Sequence, residues 1–206
     1  PAAAAMVKFG KQIKRMADAD QINHCVSYDV LKKALQVVVD AEKKGREGNG
    51  AEAEQLNADL RAIGESFGAA GSVGGIRPPV SKFHGLLQHE LEKVNRFAAL
   101  RLQTLVDNMF EAQRLLASGQ PGKPLEESVV AKAERVLNNA ADSLTEIEYF
   151  RRLNFTGFRK IVKKFDRHYH EATGSESSLG SWFVPALLRE PFVAETLEAH
   201  LLALAW

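Results

Sequence analysis

The stretch Leu153 to Arg167, LNFTGFRKIVKKFDR, places Lys160, Lys163, Lys164 and Arg167 three or four residues apart. On a helix that spacing sets each cation within about one turn of the next, all on one side. Leu153, Phe158, Ile161, Val162 and Phe165 recur at the helical period between them and supply a side that can be buried. Exposed like charges at this spacing repel by a few tenths of a kcal/mol per pair. Asp166 offsets only one of them, and no glutamate is interspersed to soften the rest. An anion is the simplest counterpart. Ammonium groups are compact charges with three rotatable donors, suited to a ligand carrying several phosphates, whereas a planar two-oxygen partner would favour arginine. Each charge-assisted bond to a phosphoryl oxygen is short and strong, though salt screens an exposed patch.

Other chemistries find little support. His168 and His170 are two residues apart, a poor metal pair on a helix, and no third ligand follows at a zinc-like spacing. Cys25 is the only cysteine, which rules out a disulfide within the chain and suits a reducing compartment. Its neighbour His24 cannot activate it as a nucleophile, because adjacent side chains diverge. No paired carboxylates suggest acid–base catalysis, so the chain is expected to be no enzyme and to need no cofactor or metal. Phe155 and Phe158 read as core. Lys11, Lys33, Arg151 and Arg152 read as surface charge, and Arg159 as a partner for an acid of the bundle.

The elements that position the cluster are read from apolar periodicity. The 206 residues suffice for one domain with a sizeable core, and 27 Lys and Arg against 26 Asp and Glu leave a net charge of only +1. The positive field is therefore local: seven Lys or Arg against one acid from Arg151 to His170, and six against three from Met6 to Lys33. Phe9, Ile13 and Met16 mark a short helix. Ser27 is a candidate N-cap for a second helix, which buries Val30, Leu31, Ala34, Leu35, Val37 and Val38. Residues 45–80 are rich in breakers, with one helix expected through Leu56, Leu60, Ile63 and Phe67. Two long helices follow. Ser81 to Leu116 carries a seam from Phe83 through Leu102 and Leu105 to Leu116; the other runs from Val130 through Leu137 and Ile147 into the basic stretch. Gly157 is too weak a breaker to stop it alone. A last helix carries Phe192, Thr196, Leu197 and Leu201. No run approaches the roughly 18 apolar residues of a membrane span. Residues 1–5, PAAAA, read as added ahead of a natural start at Met6.

The LNFTGFRKIVKKFD stretch resembles the signature of the SPX domain, a small helical module of eukaryotic phosphate-homeostasis proteins. Three further stretches match in order: MVKFG at Met6, with one valine inserted relative to the family's opening; SYDVLKK at Ser27; and LLREPF near the end. The resemblance spans residues 6–206. It implies an all-α fold: a three-helix bundle of long helices with an N-terminal helical hairpin and short C-terminal helices. Residues 6–44 would form the hairpin, 45–80 a variable insertion, 81–170 the two long core helices and 171–206 a C-terminal helical subdomain. It also implies binding of inositol polyphosphates and pyrophosphates. The family's phosphate-binding tyrosine falls on Tyr28, its second-helix lysine on Lys32 and its central lysine on Lys164. The neighbouring cluster falls on Lys160, Lys163 and Arg167, the last replacing a lysine seen in some members. The hairpin lysine falls on Lys8. Tyr28 and Lys32 are four apart, so a phenol and an ammonium face the same way on a helix.

Family members regulate a fused polymerase, transporter, exporter, phosphodiesterase or ubiquitin ligase domain, or act alone on regulators of phosphate-starvation genes. The resemblance thus implies a sensor of cellular phosphate status on the cytosolic side, or in the nucleus for a stand-alone form. Sulfate or phosphate would be simpler occupants of the same site. The sensor is expected to have its hairpin loosened without ligand and clamped by it. Two alternatives use the same residues: a basic-patch binder of phosphoinositide membrane or nucleic acid, and a scaffold with no small ligand. Nucleic acid is not expected, because the cations converge on one patch and form no long stripe interleaved with aromatics.

Overall fold

A computed structural model describes residues 9–10, 13, 19–46, 48, 51–52, 54–55, 58–59, 62, 78–119, 122–177 and 179–194. Among them every regular element is a helix: α1 Ala19–Ile22, α2 Tyr28–Arg46, α3 Pro78–Ala117, α4 Glu127–Thr173, α5 Leu179–Leu187 and α6 Pro191–Ala194. Met16, most of the first hairpin arm, Leu56, Leu60, Ile63 and Phe67, and Thr196, Leu197 and Leu201 lie outside the described residues.

Helices α2, α3 and α4 pack against one another as a three-helix bundle. The reason lies in their seams. Leu31, Ala34, Leu35 and Val38 of α2 are buried at i, i+3, i+4 and i+7, so the Val37–Val39 run is helical despite its strand-like composition. They meet Phe83, Leu87, Leu91 and Val94 of α3 and Phe158, Ile161, Val162 and Phe165 of α4 in one continuous core. Phe83 stacks on Phe165 with ring centres 4.7 Å apart, and Phe165 on Tyr169 at 5.7 Å. Short α5 and α6 close the bundle with Phe183, Leu187 and Phe192, all buried.

The 40 residues of α3 and 47 of α4 outrun this core. Leu105, Ala140 and Ile147 form a smaller second cluster, flanked by Leu102, Met109 and Leu144. Two expected seam positions, Leu116 and Leu137, are instead 46% and 44% exposed. A two-helix arm buries only the facing stripe of each helix, and periodicity alone does not say where a third helix stops.

Helix α4 continues through Gly157 and ends at Gly174, whose φ of 63° is left-handed and whose N–H donates to the His170 carbonyl at 2.8 Å. The Gly157 position is a notch. A Cβ there would lie 2.6 Å from Val26 Cγ1, and Val26 is itself buried. Alanine would gain about 1 kcal/mol of helix propensity but overpack the contact by about 1–3 kcal/mol. Gly157→Ala is therefore expected to lower the melting temperature by a few degrees, or about 1 kcal/mol at the midpoint, as thermal denaturation followed by circular dichroism would read. An unchanged or raised midpoint would mean that Val26 yields freely.

Candidate anion-binding site

Tyr28 opens α2 and its ring is buried, meeting Phe9 edge-on with centres 5.2 Å apart. Burial, helped by neighbouring Asp29, pushes the Tyr28 phenol up, so it stays a neutral hydroxyl in the physiological range. Lys32, one turn on, is exposed. On α4, Lys160, Lys163 and Arg167 are exposed and Lys164 is half-buried. Lys8 lies outside the described residues.

Lys164 senses its neighbours. Burial lowers its ammonium below the usual lysine range, and the charges of Lys32 and Arg167 lower it further. Two helices thus bring three of the expected cations into one field. Among the described residues no carboxylate pairs with Lys32, Lys160, Lys163 or Lys164. Asp166, expected to offset one of them, is committed elsewhere: its carboxylate accepts from the Ser177 hydroxyl and, at 3.1 Å, from the Gly180 N–H, fixing the start of α5. Arg167 does approach Glu171, at 3.8 Å. Lys160 rests its Nζ 4.1 Å from the centre of the Phe9 ring, a cation–π contact linking α4 to the N-terminal segment. Lys163 makes no such contact among the described residues.

Helix α2 is no loosely docked arm, because its apolar side belongs to the main core.

Two surface readings need correction. Arg151 is only partly exposed; its guanidinium donates to the Phe192 and Val193 carbonyls, each at 2.6 Å, and pairs with Glu148 at 2.5 Å. It holds α6 and is structural. Arg159 pairs with no acid among the described residues but lies over the Phe155 ring, 5.6 Å from its centre. The expected N-cap Ser27 does precede α2, and its carbonyl accepts from Val30 and Leu31. Its hydroxyl, however, accepts from Lys93 Nζ at 2.9 Å.

Sequence reasoning passed over the residues that hold α2 in place. Asn154 is fully buried on α4; its Oδ1 accepts from the Val26 N–H at 2.7 Å and its Nδ2 donates to the Phe150 carbonyl at 2.8 Å. Glu90 of α3 is buried, and its Oε2 accepts from the Ser27 N–H at 2.6 Å and from Lys93 Nζ at 2.7 Å. The signal was a polar residue inside an apolar seam: Asn154 follows Phe150 by four, and Glu90 follows Leu86 by four. Burial also pushes the Cys25 thiol up to about 11, which leaves it protonated and inert. The described residues contain no group of three or more His, Cys, Asp and Glu able to hold a metal, and no helix long and apolar enough to cross a membrane.

The geometry is that of a helical bundle carrying a group of cations on two of its helices. No protein-family model matches the sequence. Vacuolar transporter chaperone complex subunit 2 of Toxoplasma gondii is 22% identical over a stretch covering 91% of this chain and 22% of that protein. The subunit of the same name in Saccharomyces cerevisiae is 35% identical over 48% of this chain and 12% of its own length. SPX domain-containing protein 3 of Arabidopsis thaliana is 23% identical over 60% of this chain and half of that protein. These similarities relate the chain to the SPX-domain proteins. It spans about a fifth or less of the two chaperone subunits.

The Lys164 field gives a signed pH dependence. Its folded pKa is depressed below the unfolded value, so without ligand the charged form costs stability at neutral pH. That cost disappears as pH rises through the folded and then the unfolded pKa. A bound phosphate reverses the shift. In a lysine-selective NMR titration, Lys164 is expected to lose its proton below the usual lysine range, and at higher pH than before once inositol hexakisphosphate is added. Titration of Lys164 within the usual lysine range without ligand would remove the claim that the cations share one field.

Proposed function

We propose that the chain serves phosphate homeostasis as a binding module for inositol polyphosphates and pyrophosphates. In this reading, occupancy reports phosphate status to a fused domain or a partner protein on the cytosolic side. The observation that carries the reading is the gathering of Lys32 from α2 and Arg167 from α4 around half-buried Lys164, which has no carboxylate on it among the described residues. A site that already holds its cations against their repulsion gains most from a ligand that brings several negative groups at once. Lys164 and Lys32 grip the middle of a phosphorylated ring, Tyr28 donates its hydroxyl, and Lys160, Lys163 and Arg167 meet the outer phosphates. Lys8 would add a further cation from the N-terminal segment. Orthophosphate or sulfate reaches only two or three of these groups at a time and binds more weakly.

The relation to SPX-domain proteins supports the ligand class, and the convergence of the charges on one pocket favours a compact ligand over a nucleic-acid strand or a flat membrane surface. Any catalytic or transport activity belongs, in this reading, to regions of a longer protein and not to these residues.

Titration calorimetry at fixed salt tests the reading. Inositol hexakisphosphate is expected to bind at least about a hundredfold more tightly than orthophosphate. Lys32→Ala and Lys164→Ala should each weaken it by about tenfold or more with little change in melting temperature, while Arg152→Ala leaves it nearly unchanged. Arg151→Ala is no suitable control, since it releases α6. Equal affinity for the two ligands would overturn the sensor reading, and equal losses at Lys32, Lys164 and Arg152 would point to a diffuse electrostatic surface.

A further inference from the structure

Three successive backbone groups at the entrance to α2 are held in different ways. The Val26 N–H goes to Asn154 Oδ1 of α4 at 2.7 Å, the Ser27 N–H to Glu90 Oε2 of α3 at 2.6 Å, and the Tyr28 N–H to the Val26 carbonyl at 2.8 Å. Lys93 ties the arrangement together, donating to Ser27 Oγ at 2.9 Å and to Glu90 at 2.7 Å. The connector is thus bolted to both long helices immediately before Tyr28. The bolt is an odd way to obtain stability. Glu90 is 1% exposed, and its second oxygen, Oε1, has no hydrogen-bond donor among the described residues. A buried carboxylate left half-satisfied adds little to stability, and apolar groups of similar volume usually do as well or better. What such a group supplies is direction, because it fixes the height and rotation at which α2 starts.

We infer that Asn154 and Glu90 are positioning residues for the phosphate site: they set α2 against α4, and so set the reach from Tyr28 and Lys32 to Lys160 and Lys164. A slip of α2 by one residue moves Lys32 about 1.5 Å along the axis, more than the roughly 0.5 Å range of good hydrogen-bond lengths. A ligand bridging the two helices suffers from such a slip. A ligand small enough to sit on α4 alone does not.

This rests on the reading of the site given above, and calorimetry with two probes separates the two. The unsubstituted chain, Glu90→Gln and Asn154→Ala are each titrated with inositol hexakisphosphate and with inorganic pyrophosphate. Both variants are expected to bind the hexakisphosphate about tenfold more weakly while pyrophosphate affinity stays within about twofold. Charge alone predicts the opposite sign for Glu90→Gln, because removing a negative group near the patch should tighten every anion. A merely structural loss would weaken both probes in the same proportion. Hexakisphosphate affinity that is unchanged or tighter, or a matched loss of both probes, overturns the inference while leaving the site itself in place. Failure of the unsubstituted chain to bind the hexakisphosphate overturns both. Should Asn154→Ala not fold, Glu90→Gln decides, since glutamine keeps the shape and an acceptor for the Ser27 N–H.

Discussion

Like charges are pressed together across α2 and α4 by apolar packing, and the site depends on that conflict. Lys32 and Lys164 come from helices whose opposite sides are locked in one core by Leu31, Leu35 and Val38 on one and Phe158, Ile161, Val162 and Phe165 on the other. Each of those side chains contributes about 1.5–3 kcal/mol on burial. Exposed like charges cost only a few tenths of a kcal/mol per pair. Burial wins easily, so the cations stay together with no anion present. Among the described residues no carboxylate relieves Lys32 or Lys164, since Asp166 fixes the start of α5, Glu90 holds Ser27 and Lys93, and Glu171 reaches only Arg167. An anion that met such a group of cations would not first have to assemble the charges.

The same core limits what a ligand can move. Helix α2 is as much part of the core as the two long helices. Ahead of α2, Lys160 sits on the Phe9 ring and Phe9 meets Tyr28 edge-on. A phosphate competing for the Lys160 ammonium would draw on a contact that also holds Phe9.

Much of this was legible in the residues. The 3.6-residue period located α2, α3 and α4, and the spacing of Lys160, Lys163, Lys164 and Arg167 showed a charged side opposite a buried one. Periodicity said nothing about Arg151, because a guanidinium that satisfies the Phe192 and Val193 carbonyls is indistinguishable in sequence from one in water. Nor did it show that Leu116 and Leu137 lie on an arm beyond the third helix. Gly157 looked like a weak breaker and is a notch for Val26. Asn154 and Glu90 interrupt apolar seams, and that interruption was the one sequence sign of the connector they hold. Such contacts join residues more than 60 positions apart, so local pattern cannot reveal them.

The most direct test of forced charge apposition needs no ligand. Unfolding free energies of the unsubstituted chain, Lys32→Met, Lys164→Met and the double variant form a thermodynamic cycle. Methionine keeps an unbranched apolar stem while removing the charge. If the two ammonium groups repel across α2 and α4, each single substitution relieves the same repulsion, and the double variant gains less than the sum of the two. The coupling should fade as salt is raised. Strictly additive effects at low salt would contradict the account, since the two lysines would then not feel each other and the pocket would not exist as a shared field.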